Sequence, residues 1–317
     1  MFDYYSGLKV LVTGGAGFVG SHLVDRLVAL NADVTVLDNL HTGKLANLQP
    51  HLDSEQIRFI EHDIKDAFDI PADLIFNLAC PASPIKYQED PIQTWQTSVI
   101  GGHNVVQLAA RYDARLVQMS TSEVYGDPAV HPQTEDYWGH VNPVGPRACY
   151  DEGKRALETL AMDFHRSRGL KVRIARVFNT YGPRMLSHDG RVISTFIDQA
   201  LKNADITVFG DGSQTRSFCY VSDLVEGVLR LGALEGLDGQ IINLGNPEEY
   251  SVLQIARKIL DMTASQSTIC FLDGAIDDPT RRQPDITKAS NLLGWKPEIE
   301  INLGLTNTIS YLPKANA

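Results

Sequence analysis

One short run of the chain, Cys149-Tyr150-Asp151-Glu152-Gly153-Lys154, contains a tyrosine and a lysine four residues apart. On a helix, residues at this spacing project from the same face, one turn from each other. A phenol titrates near pH ~10, which is too high for proton abstraction at neutral pH, but a cation one turn away lowers its pKa. We therefore expect Tyr150, assisted by Lys154, to take a proton from a substrate hydroxyl while a hydride leaves the same carbon.

A second polar stretch, Ser120-Thr121-Ser122-Glu123, follows a strand-like apolar run at Leu116–Met119. Residues just past the carboxyl ends of strands in an open parallel sheet face the ligand crevice, so Thr121 is placed to hydrogen-bond the hydroxyl that Tyr150 deprotonates. Glu123 lies two residues further along an extended segment, hence on the same face. If burial raises its pKa, it can handle a second proton. The same stretch also suits a strand end whose Ser/Thr side chains bond the local backbone.

The element that must position a cofactor beside these groups is at the start of the chain. Leu8–Val12 is a short apolar run typical of a buried strand, and an apolar-periodic segment from Ser21 to about Leu30 predicts a helix. Between them, glycines recur at positions 14, 17 and 20. Such glycines permit a tight turn and a close approach of backbone to a pyrophosphate at the helix N-terminus. Strand before and helix after is the context that supports a dinucleotide site.

Asp38 ends the next predicted strand, Asp33–Leu37, about twenty residues after the glycines. An acid at this position bonds the ribose hydroxyls and repels a 2′-phosphate, which favours NAD over NADP. We assign the cofactor site to Gly14, Gly17, Phe18, Val19, Gly20, Asp38, Asn39, Asp63, Ile64, Leu78, Tyr150 and Lys154.

Alternating strand-like and helix-like segments predict the fold class, an α/β doubly wound parallel sheet of Rossmann type. Further strands are expected at Ile57–Ile60, Leu74–Leu78, Leu116–Met119 and Val172–Val177, the last closing the sheet. Long helices are expected from Pro91 to about Tyr112 and over Tyr150–Arg168. These two helices suit either packing on the sheet or pairing with a second subunit as a four-helix bundle, and we expect a homodimer.

The chain beyond Phe178 forms a second, smaller α/β region that packs directly on the first and leaves a cleft over the nicotinamide. We expect residues 1–178 to form the NAD-binding domain and residues 179–317 the substrate-binding region, with 220–245 packing back on the former. In the second region we expect helices at Val192–Lys202 and Ser251–Leu260, a strand at Ile269–Leu272 and a polar loop at Asp277–Asp285.

Composition excludes several classes of function. The net charge of −11 over 317 residues argues against nucleic acid binding, which rewards basic surfaces. Cys80, Cys149, Cys219 and Cys270 lack metal-ligand spacing, so we expect no metal and reduced thiols in a cytoplasmic protein. No apolar run reaches membrane-spanning length, and we expect no membrane association.

Several motifs together resemble the extended short-chain dehydrogenase/reductase family over nearly the whole chain, and within it the UDP-glucuronate decarboxylases. The motifs are Cys80-Pro-Ala-Ser-Pro84, Ser120-Thr-Ser-Glu-Val-Tyr-Gly-Asp-Pro128, His131-Pro-Gln133, Tyr137-Trp-Gly139, Val141-Asn-Pro143, Cys149-Tyr-Asp-Glu-Gly-Lys-Arg155, Phe178-Asn-Thr-Tyr-Gly-Pro-Arg-Met185, Asp189-Gly-Arg-Val192 and Gln214-Thr-Arg216. The related 4,6-dehydratases usually carry Thr-Asp-Glu where this chain has Thr-Ser-Glu, and the 4-epimerases commonly lack the glutamate.

The resemblance implies NAD-dependent conversion of UDP-glucuronate to UDP-xylose through a transient 4-ketone. Oxidation at C4 makes the C6 carboxylate a β-keto acid, which loses CO₂ before hydride returns to C4. The implied catalytic residues are Thr121, Glu123, Tyr150, Lys154 and Arg282, of which Glu123 assists near C5 and Arg282 lies by the carboxylate or donates through water. The implied substrate residues are Gln96, Asn104, Asn179, Arg191, Arg216 and Tyr220.

Gln96 departs from the family, which usually has a lysine there, reaching the sugar or the nicotinamide ribose. A changed substrate or a slower turnover is consistent with this loss of charge. Two alternatives therefore stay open: a 4-epimerase or 4-keto-sugar-forming enzyme on another nucleotide sugar, and a non-catalytic NAD-binding regulator. The intact Thr121, Tyr150 and Lys154 disfavour a regulator.

Overall fold

The structure, a computed structural model, describes residues 2–187, 190–274 and 279–315. Its strands, numbered in chain order, are β1 (Lys9–Thr13), β2 (Asp33–Asp38), β3 (Ile57–Glu61), β4 (Leu74–Asn77), β5 (Arg115–Thr121), β6 (Val172–Val177), β7 (Thr180–Tyr181), β8 (Ile206–Phe209), β9 (Thr215–Ser217), β10 (Cys219–Tyr220), β11 (Ile241–Leu244), β12 (Glu249–Ser251), β13 (Ile269–Leu272) and β14 (Arg281–Arg282).

The α-helices are α1 (Phe18–Ala29), α2 (Gln49–Asp53), α3 (Pro84–Glu89), α4 (Pro91–Gln96), α5 (Gly102–Arg111), α6 (Ala148–Arg168), α7 (Val192–Leu201), α8 (Val221–Ala233), α9 (Val252–Thr263), α10 (Thr287–Leu293) and α11 (Ile301–Ala315). A π-helical turn, Thr97–Gly101, joins α4 to α5, and short 3₁₀ turns lie at Phe2–Tyr5, Leu45–Asn47 and Ser122–Tyr125.

Seven parallel strands form the main sheet in the order β11-β6-β5-β4-β1-β2-β3. The chain moves outward from β1 through β2 to β3 and then returns to β4 on the other side of β1, so the strand order reverses between β1 and β4. Ligands of open α/β sheets bind outside the carboxyl ends of the strands at such a reversal. The prediction of a doubly wound, Rossmann-like sheet is confirmed.

Successive side chains of each strand enter opposite faces of the sheet, because the side-chain period of a strand is two. In β1, Val10 and Val12 pack in the core formed with α1 and α8, whereas Leu11 packs in the core formed with α5 and α6. Both faces are therefore covered by helices, which explains why the strands are apolar without alternation.

The sequence-based prediction that Val172–Val177 closes the sheet is wrong, because β11 pairs in parallel with β6 beyond it. The strand β11 has only four residues and follows α8, within a part of the chain where the sequence pattern is loose. The long helix expected from Pro91 to Tyr112 is interrupted by the π-helical turn, and Arg281–Arg282, expected in a loop, pairs with β9. Residues 277 and 278 of that loop lie outside the described residues.

Smaller sheets lie beyond the main one, with β7 beside β10, β8 beside β13, and β9 between β12 and β14. The segment that contains Trp295, Glu298 and Ile299 is held against α8 by hydrogen bonds to Asp223. Trp295, 2% exposed, donates its indole Nε1–H to the backbone oxygen of Asp223 at 2.9 Å. The Asp223 carboxylate accepts the N–H groups of Glu298 and Ile299 at 3.0 and 2.9 Å. Within the described residues, no helix has the length and apolar character required to cross a bilayer.

Candidate active site

The turn between β1 and α1 brings the backbone close to the carboxyl edge of the sheet. Gly14 has φ +71°, and a Cβ there would lie 2.8 Å from the backbone N of Ala79. A Cβ on Gly20 would lie 2.2 Å from the Gly14 oxygen, so α1 can pack on the turn only because position 20 is glycine. Gly17 is the N-cap of α1 and lines the cavity described below. This bare helix N-terminus fits a pyrophosphate.

Asp38, at the end of β2, is buried, and both of its carboxylate oxygens accept backbone N–H groups. One oxygen accepts from Ala16 at 2.9 Å and the other from Leu40 at 2.8 Å. Burial raises the pKa of Asp38, while these two hydrogen bonds oppose the rise. Because both oxygens act as acceptors, the geometry matches the ionised carboxylate expected to bind ribose hydroxyls.

A cavity of about 250 Å³ runs along the carboxyl edge of the sheet, over the reversal between β1 and β4. Every residue that the sequence assigned to the cofactor lines this cavity: Gly14, Gly17, Phe18, Val19, Gly20, Asp38, Asn39, Asp63, Ile64, Leu78, Tyr150 and Lys154. Thr121, Glu123 and Arg282 line it as well. The dinucleotide turn and the chemical groups therefore face one space.

Tyr150 and Lys154 lie on the buried face of α6, where each side chain is 5% exposed. The Lys154 Nζ lies 5.8 Å from the centre of the Tyr150 ring and donates to the Met119 oxygen at 3.1 Å. The Tyr150 ring also stacks on Tyr87, with ring centres 4.9 Å apart and planes 2° apart. Lys154 is thus held by the Met119 oxygen, and Tyr150 is held by its stacking on Tyr87.

The pKa of Tyr150 differs from the sequence-based expectation, which had Lys154 lowering it. Burial raises the pKa of Tyr150 well above its usual value, and the negative charge of Glu123 adds to the rise. A hydrogen bond with Thr121 acts in the opposite direction. Desolvation of the phenolate by burial therefore outweighs the interactions that favour it.

Thr121 ends β5, and the chain then turns into the 3₁₀ segment Ser122–Tyr125. The Thr121 hydroxyl accepts the backbone N–H of Glu123 at 3.2 Å, so it caps this turn in addition to contacting Tyr150. The expected extended geometry between Thr121 and Glu123 is therefore wrong. Glu123 still reaches the cavity, because the 3₁₀ turn directs it there.

Glu123 is held by two arginines that come from distant parts of the chain. Arg282, on β14, donates Nη1 and Nη2 to the two carboxylate oxygens at 2.8 and 2.9 Å. Arg147, the N-cap of α6, donates Nη2 to both oxygens at 2.9 and 2.8 Å. Burial favours protonation, but Arg282 and Arg147 lower the pKa of Glu123 to about 2. The expectation that burial raises this pKa is wrong, because the sequence did not reveal the two cations.

Asp151 is a second buried carboxyl beside this ion pair, and sequence reasoning missed it. It is 6% exposed, and its Oδ1 makes no hydrogen bond with any described residue. Burial and the charge of Glu123 raise the pKa of Asp151 to about 8, although Arg147 and Arg282 oppose the shift. The helical spacing of Arg147, Tyr150, Asp151 and Lys154, all on one face, was the available signal.

The residues assigned to the substrate divide into two groups. Asn179 and Arg191 line the cavity, and the Arg191 guanidinium lies 5.3 Å from the centre of the Phe18 ring. Asp189, in the same motif as Arg191, lies outside the described residues.

Gln96, Asn104, Arg216 and Tyr220 are not among the described residues that line the cavity. Gln93 and Thr97 face it instead, and Gln96 is rotated from Thr97 by the ~100° that separates adjacent helical residues. The Asn104 amide donates to the backbone oxygens of Ile64 and Lys65 at 2.8 and 3.0 Å, so it holds the loop that carries Asp63 and Ile64 of the assigned cofactor site.

Arg216 and Tyr220 are buried in the C-terminal region. Arg216 lies on the central strand of a small sheet and donates to the Thr215 oxygen at 2.8 Å. The Tyr220 ring packs edge-on against Tyr181 with centres 5.5 Å apart. Further lining residues to which the sequence analysis gave no role in the site include Cys80, Lys86, Gln93 and Arg184. Arg184 lies in the Phe178–Met185 motif and Lys86 lies two residues after the Cys80–Pro84 motif, which was their only sequence signal.

Comparisons with known proteins agree with this geometry. The model of the NAD dependent epimerase/dehydratase family matches residues 10–245. The chain is 52% identical over 299 residues to UDP-glucuronic acid decarboxylase 2 of Arabidopsis thaliana, covering 94% of this chain and 67% of that protein. It is 52% identical over 306 residues to UDP-glucuronic acid decarboxylase 1 of Xenopus tropicalis, covering 96% and 72%.

Solved structures share the fold over almost the whole chain. An epimerase from Methanothermobacter thermautotrophicus superposes with a TM-score of 0.92 at 29% identity, covering 99% of this chain and 94% of that one. A variant UDP-glucuronic acid 4-epimerase from Bacillus cereus, in complex with NAD and UDP-4-deoxy-4-fluoro-glucuronic acid, gives 0.88 at 27% identity, covering 97% and 100%. With the glycine turn, the acid after β2 and the Tyr/Lys pair in one cavity, the chain belongs to the NAD dependent epimerase/dehydratase family.

Proposed function

We propose that this protein decarboxylates UDP-glucuronate to UDP-xylose with NAD as a regenerated cofactor. One observation carries the proposal: a hydroxyl-oxidising pair, Tyr150 and Thr121, shares its cavity with Arg282, a cation suited to a sugar carboxylate. The similarity to the decarboxylases supports the same reaction. Gly14, Gly17 and Gly20 fit the pyrophosphate and Asp38 the ribose, and bound NAD⁺ supplies the acceptor and later the donor of the C4 hydride.

Tyr150, as phenolate, takes the proton of the C4 hydroxyl, and Thr121 orients that hydroxyl by a hydrogen bond. Lys154 lies over the Tyr150 ring and stabilises the phenolate once it forms. The product of this step is a 4-ketone, so the carboxylate at C6 becomes that of a β-keto acid. Loss of CO₂ leaves an enolate whose charge the C4 oxygen carries, beside the Tyr150 and Thr121 hydroxyl groups. Protonation at C5 and return of the hydride and the Tyr150 proton to C4 then complete UDP-xylose and restore the oxidised cofactor and the phenolate.

Glu123 holds the arginines in place in this scheme and is not a proton donor. With a pKa of about 2, it stays ionised at neutral pH and binds Arg282 through two parallel hydrogen bonds. Such a bidentate pair fixes the plane of the guanidinium. Arg282 then faces the cavity at a defined angle, where it meets the sugar carboxylate. Asn179, Arg191 and Arg184 contact the remaining nucleotide sugar, and arginines suit its diphosphate.

The test is carbon dioxide release from UDP-glucuronate by the purified protein with NAD, with product mass as the second readout. We expect CO₂ and UDP-xylose in equal amounts. UDP-glucose and UDP-galactose serve as substrates without a carboxylate. If these sugars are oxidised or epimerised at C4 and UDP-glucuronate gives no CO₂, the proposed decarboxylase function is wrong and the 4-epimerase alternative takes its place.

For the whole molecule we propose a cytoplasmic homodimer. The four cysteines are free, as suits a reducing compartment. The surface of the α4–α5 segment exposes Ile92, Trp95 and Ile100 at 70%, 44% and 43%, an apolar face that suits pairing with a second copy. Residues 1–178, together with 220–245, form the NAD-binding part in this proposal, and the remaining residues after 178 bind the nucleotide sugar.

A further inference from the structure

The ion pair between Glu123 and its two arginines has a buried neighbour with no role in the reaction described above. Asp151 directly follows Tyr150 and lies one helical turn after Arg147, so it shares the buried face of α6 with both. Among the described residues it has neither an ion pair nor a side-chain hydrogen bond, and its Oδ1 is fully enclosed. An ionised carboxylate without donors is costly in such a place, whereas a neutral carboxylic acid is tolerated.

The charged and titratable groups around Asp151 come from four elements. They are Glu123 on the 3₁₀ turn, Arg282 on β14, Tyr87 on α3, and Arg147, Cys149 and Glu152 at the start of α6. Both arginines are already bound to Glu123 at hydrogen-bond distance. Burial and Glu123 therefore prevail over the cations, and the pKa of Asp151 rises to about 8.

We infer that Asp151 is a positioning residue that must be neutral for the Arg147–Glu123–Arg282 cluster to accept a sugar bearing a carboxylate. Ionisation of Asp151 adds a negative charge beside the cluster that contains Arg282, the cation proposed to meet the C6 carboxylate. At short range in a partly buried site, one like charge is sufficient to weaken binding by about tenfold or more. The inference rests on the proposed function, because it needs an anionic sugar.

The experiment measures ligand binding to the NAD-bound protein that carries Tyr150→Phe. This substitution stops turnover, and without the Tyr150 hydroxyl the phenol cannot contribute to the protons taken up or released on binding. The Kd is measured by calorimetry at pH 6.5 and pH 9 for UDP-glucuronate and for UDP-xylose, which lacks the carboxylate. We expect the Kd of UDP-glucuronate to rise about tenfold or more between the two pH values, and that of UDP-xylose to change far less. In buffers of different ionisation enthalpy near pH 8, UDP-glucuronate alone should bind with proton uptake.

Asp151→Asn keeps the shape of the neutral acid, so it should abolish the proton uptake and the pH-dependent loss of UDP-glucuronate binding. Glu152→Gln is the matched control, because it neutralises the next acid on α6, which pairs with Arg155, and should leave both effects intact. If Asp151→Asn fails to fold, the comparison of the two ligands in the Tyr150→Phe protein still decides. Equal pH dependence of both ligands, or an unchanged pH dependence in Asp151→Asn, would overturn the inference.

If the proposed function itself is wrong, the experiments give a different result. In that case UDP-glucuronate gives no CO₂ with the unmodified enzyme at any pH, or does not bind at pH 6.5. Decarboxylation with a pH response that Asp151→Asn does not alter leaves the proposed function in place and removes only the role of Asp151.

Discussion

At the scale of single residues, Tyr150 is the group on which the proposed chemistry depends most. Replacing it with phenylalanine keeps the stacking on Tyr87 and removes only the hydroxyl. We expect kcat to fall by at least the 10²–10⁴-fold that is typical of a positioned proton-transfer group. NAD binding should persist, because the glycine turn and Asp38 hold the cofactor. Rates are measured by CO₂ release and NAD by fluorescence titration.

Tyr112→Phe is the control for this variant, since Tyr112 bonds Asp69 on the surface, away from the cavity. It should behave as the unmodified protein. A Tyr150→Phe protein that retains a large part of its turnover would remove Tyr150 as the base.

The ionisation of Glu123 predicts a loss of stability in acid. Its pKa is about 2 in the folded protein against an ordinary value near ~4.3. The stability from this group is therefore present above the ordinary value and is lost as the pH falls towards about 2. A shift of this size corresponds to about 3 kcal/mol at ~1.36 kcal/mol per pH unit.

Glu123→Gln tests this prediction by urea unfolding at pH 7 and pH 3. At pH 7 the variant removes the carboxylate charge that both buried arginines bind, and we expect a loss of ~3–5 kcal/mol. At pH 3 the difference between variant and unmodified protein should shrink, because Glu123 of the unfolded chain then binds a proton that the folded protein, with its pKa of about 2, still largely excludes. Glu89→Gln, at an exposed pair with Lys86, should be neutral at both pH values. A difference that stays constant with pH would contradict the assigned ionisation.

Asp38 predicts the choice of cofactor. Both of its oxygens accept backbone N–H groups, which favours the ionised carboxylate where the ribose 2′ position is expected. A 2′-phosphate beside this charge costs several kcal/mol, so NADP should bind about 100-fold more weakly than NAD or worse. Calorimetric titration of the two cofactors checks this prediction, and Asp38→Asn should reduce the difference between the affinities for NAD and NADP. Equal affinity in the unmodified protein would exclude the role assigned to Asp38.

At the scale of elements, the packing of α1 on the β1–α1 turn decides whether the cofactor site exists. A Cβ at Gly20 would lie 2.2 Å from the Gly14 oxygen, and a backbone atom cannot move aside as a side-chain end can. We expect Gly20→Ala to destabilise the fold by about 1–3 kcal/mol and to weaken NAD binding. Thermal unfolding and NAD titration measure the two effects.

Gly274→Ala is the matched control, because a Cβ there meets no atom of the described residues within 4 Å and its φ is not left-handed. It should leave stability and NAD affinity unchanged. If the Gly20 variant is equally unaffected, α1 does not pack on the turn as described.

At the scale of the whole molecule, the proposed dimer face is the α4–α5 surface. Trp95→Glu combined with Ile100→Glu places two charges on that face and should convert the dimer to monomers in analytical ultracentrifugation. Phe271→Glu, at a side chain 54% exposed on β13, is the control and should remain dimeric. A monomeric unmodified protein, or a double variant that is still dimeric, would refute this interface.

Short-range patterns explain what the sequence determined by itself. The glycine turn, Asp38 and the Tyr150–Lys154 pair each depend on residues within one strand, turn or helix, whose geometry follows from spacing alone. The alternation of apolar strands and helices likewise predicted the doubly wound sheet. Its edge strand β11 was missed, because four residues carry too little pattern for a separate prediction.

The charge state of the site depends on residues that only the tertiary structure brings together. Glu123 and Arg282 are 159 positions apart, and Arg147 reaches Glu123 from the start of α6. The two carboxyls Glu123 and Asp151 therefore take opposite pKa shifts, to about 2 and about 8. A pKa depends on burial and on every nearby charge, and neither can be read from the spacing of residues along the chain.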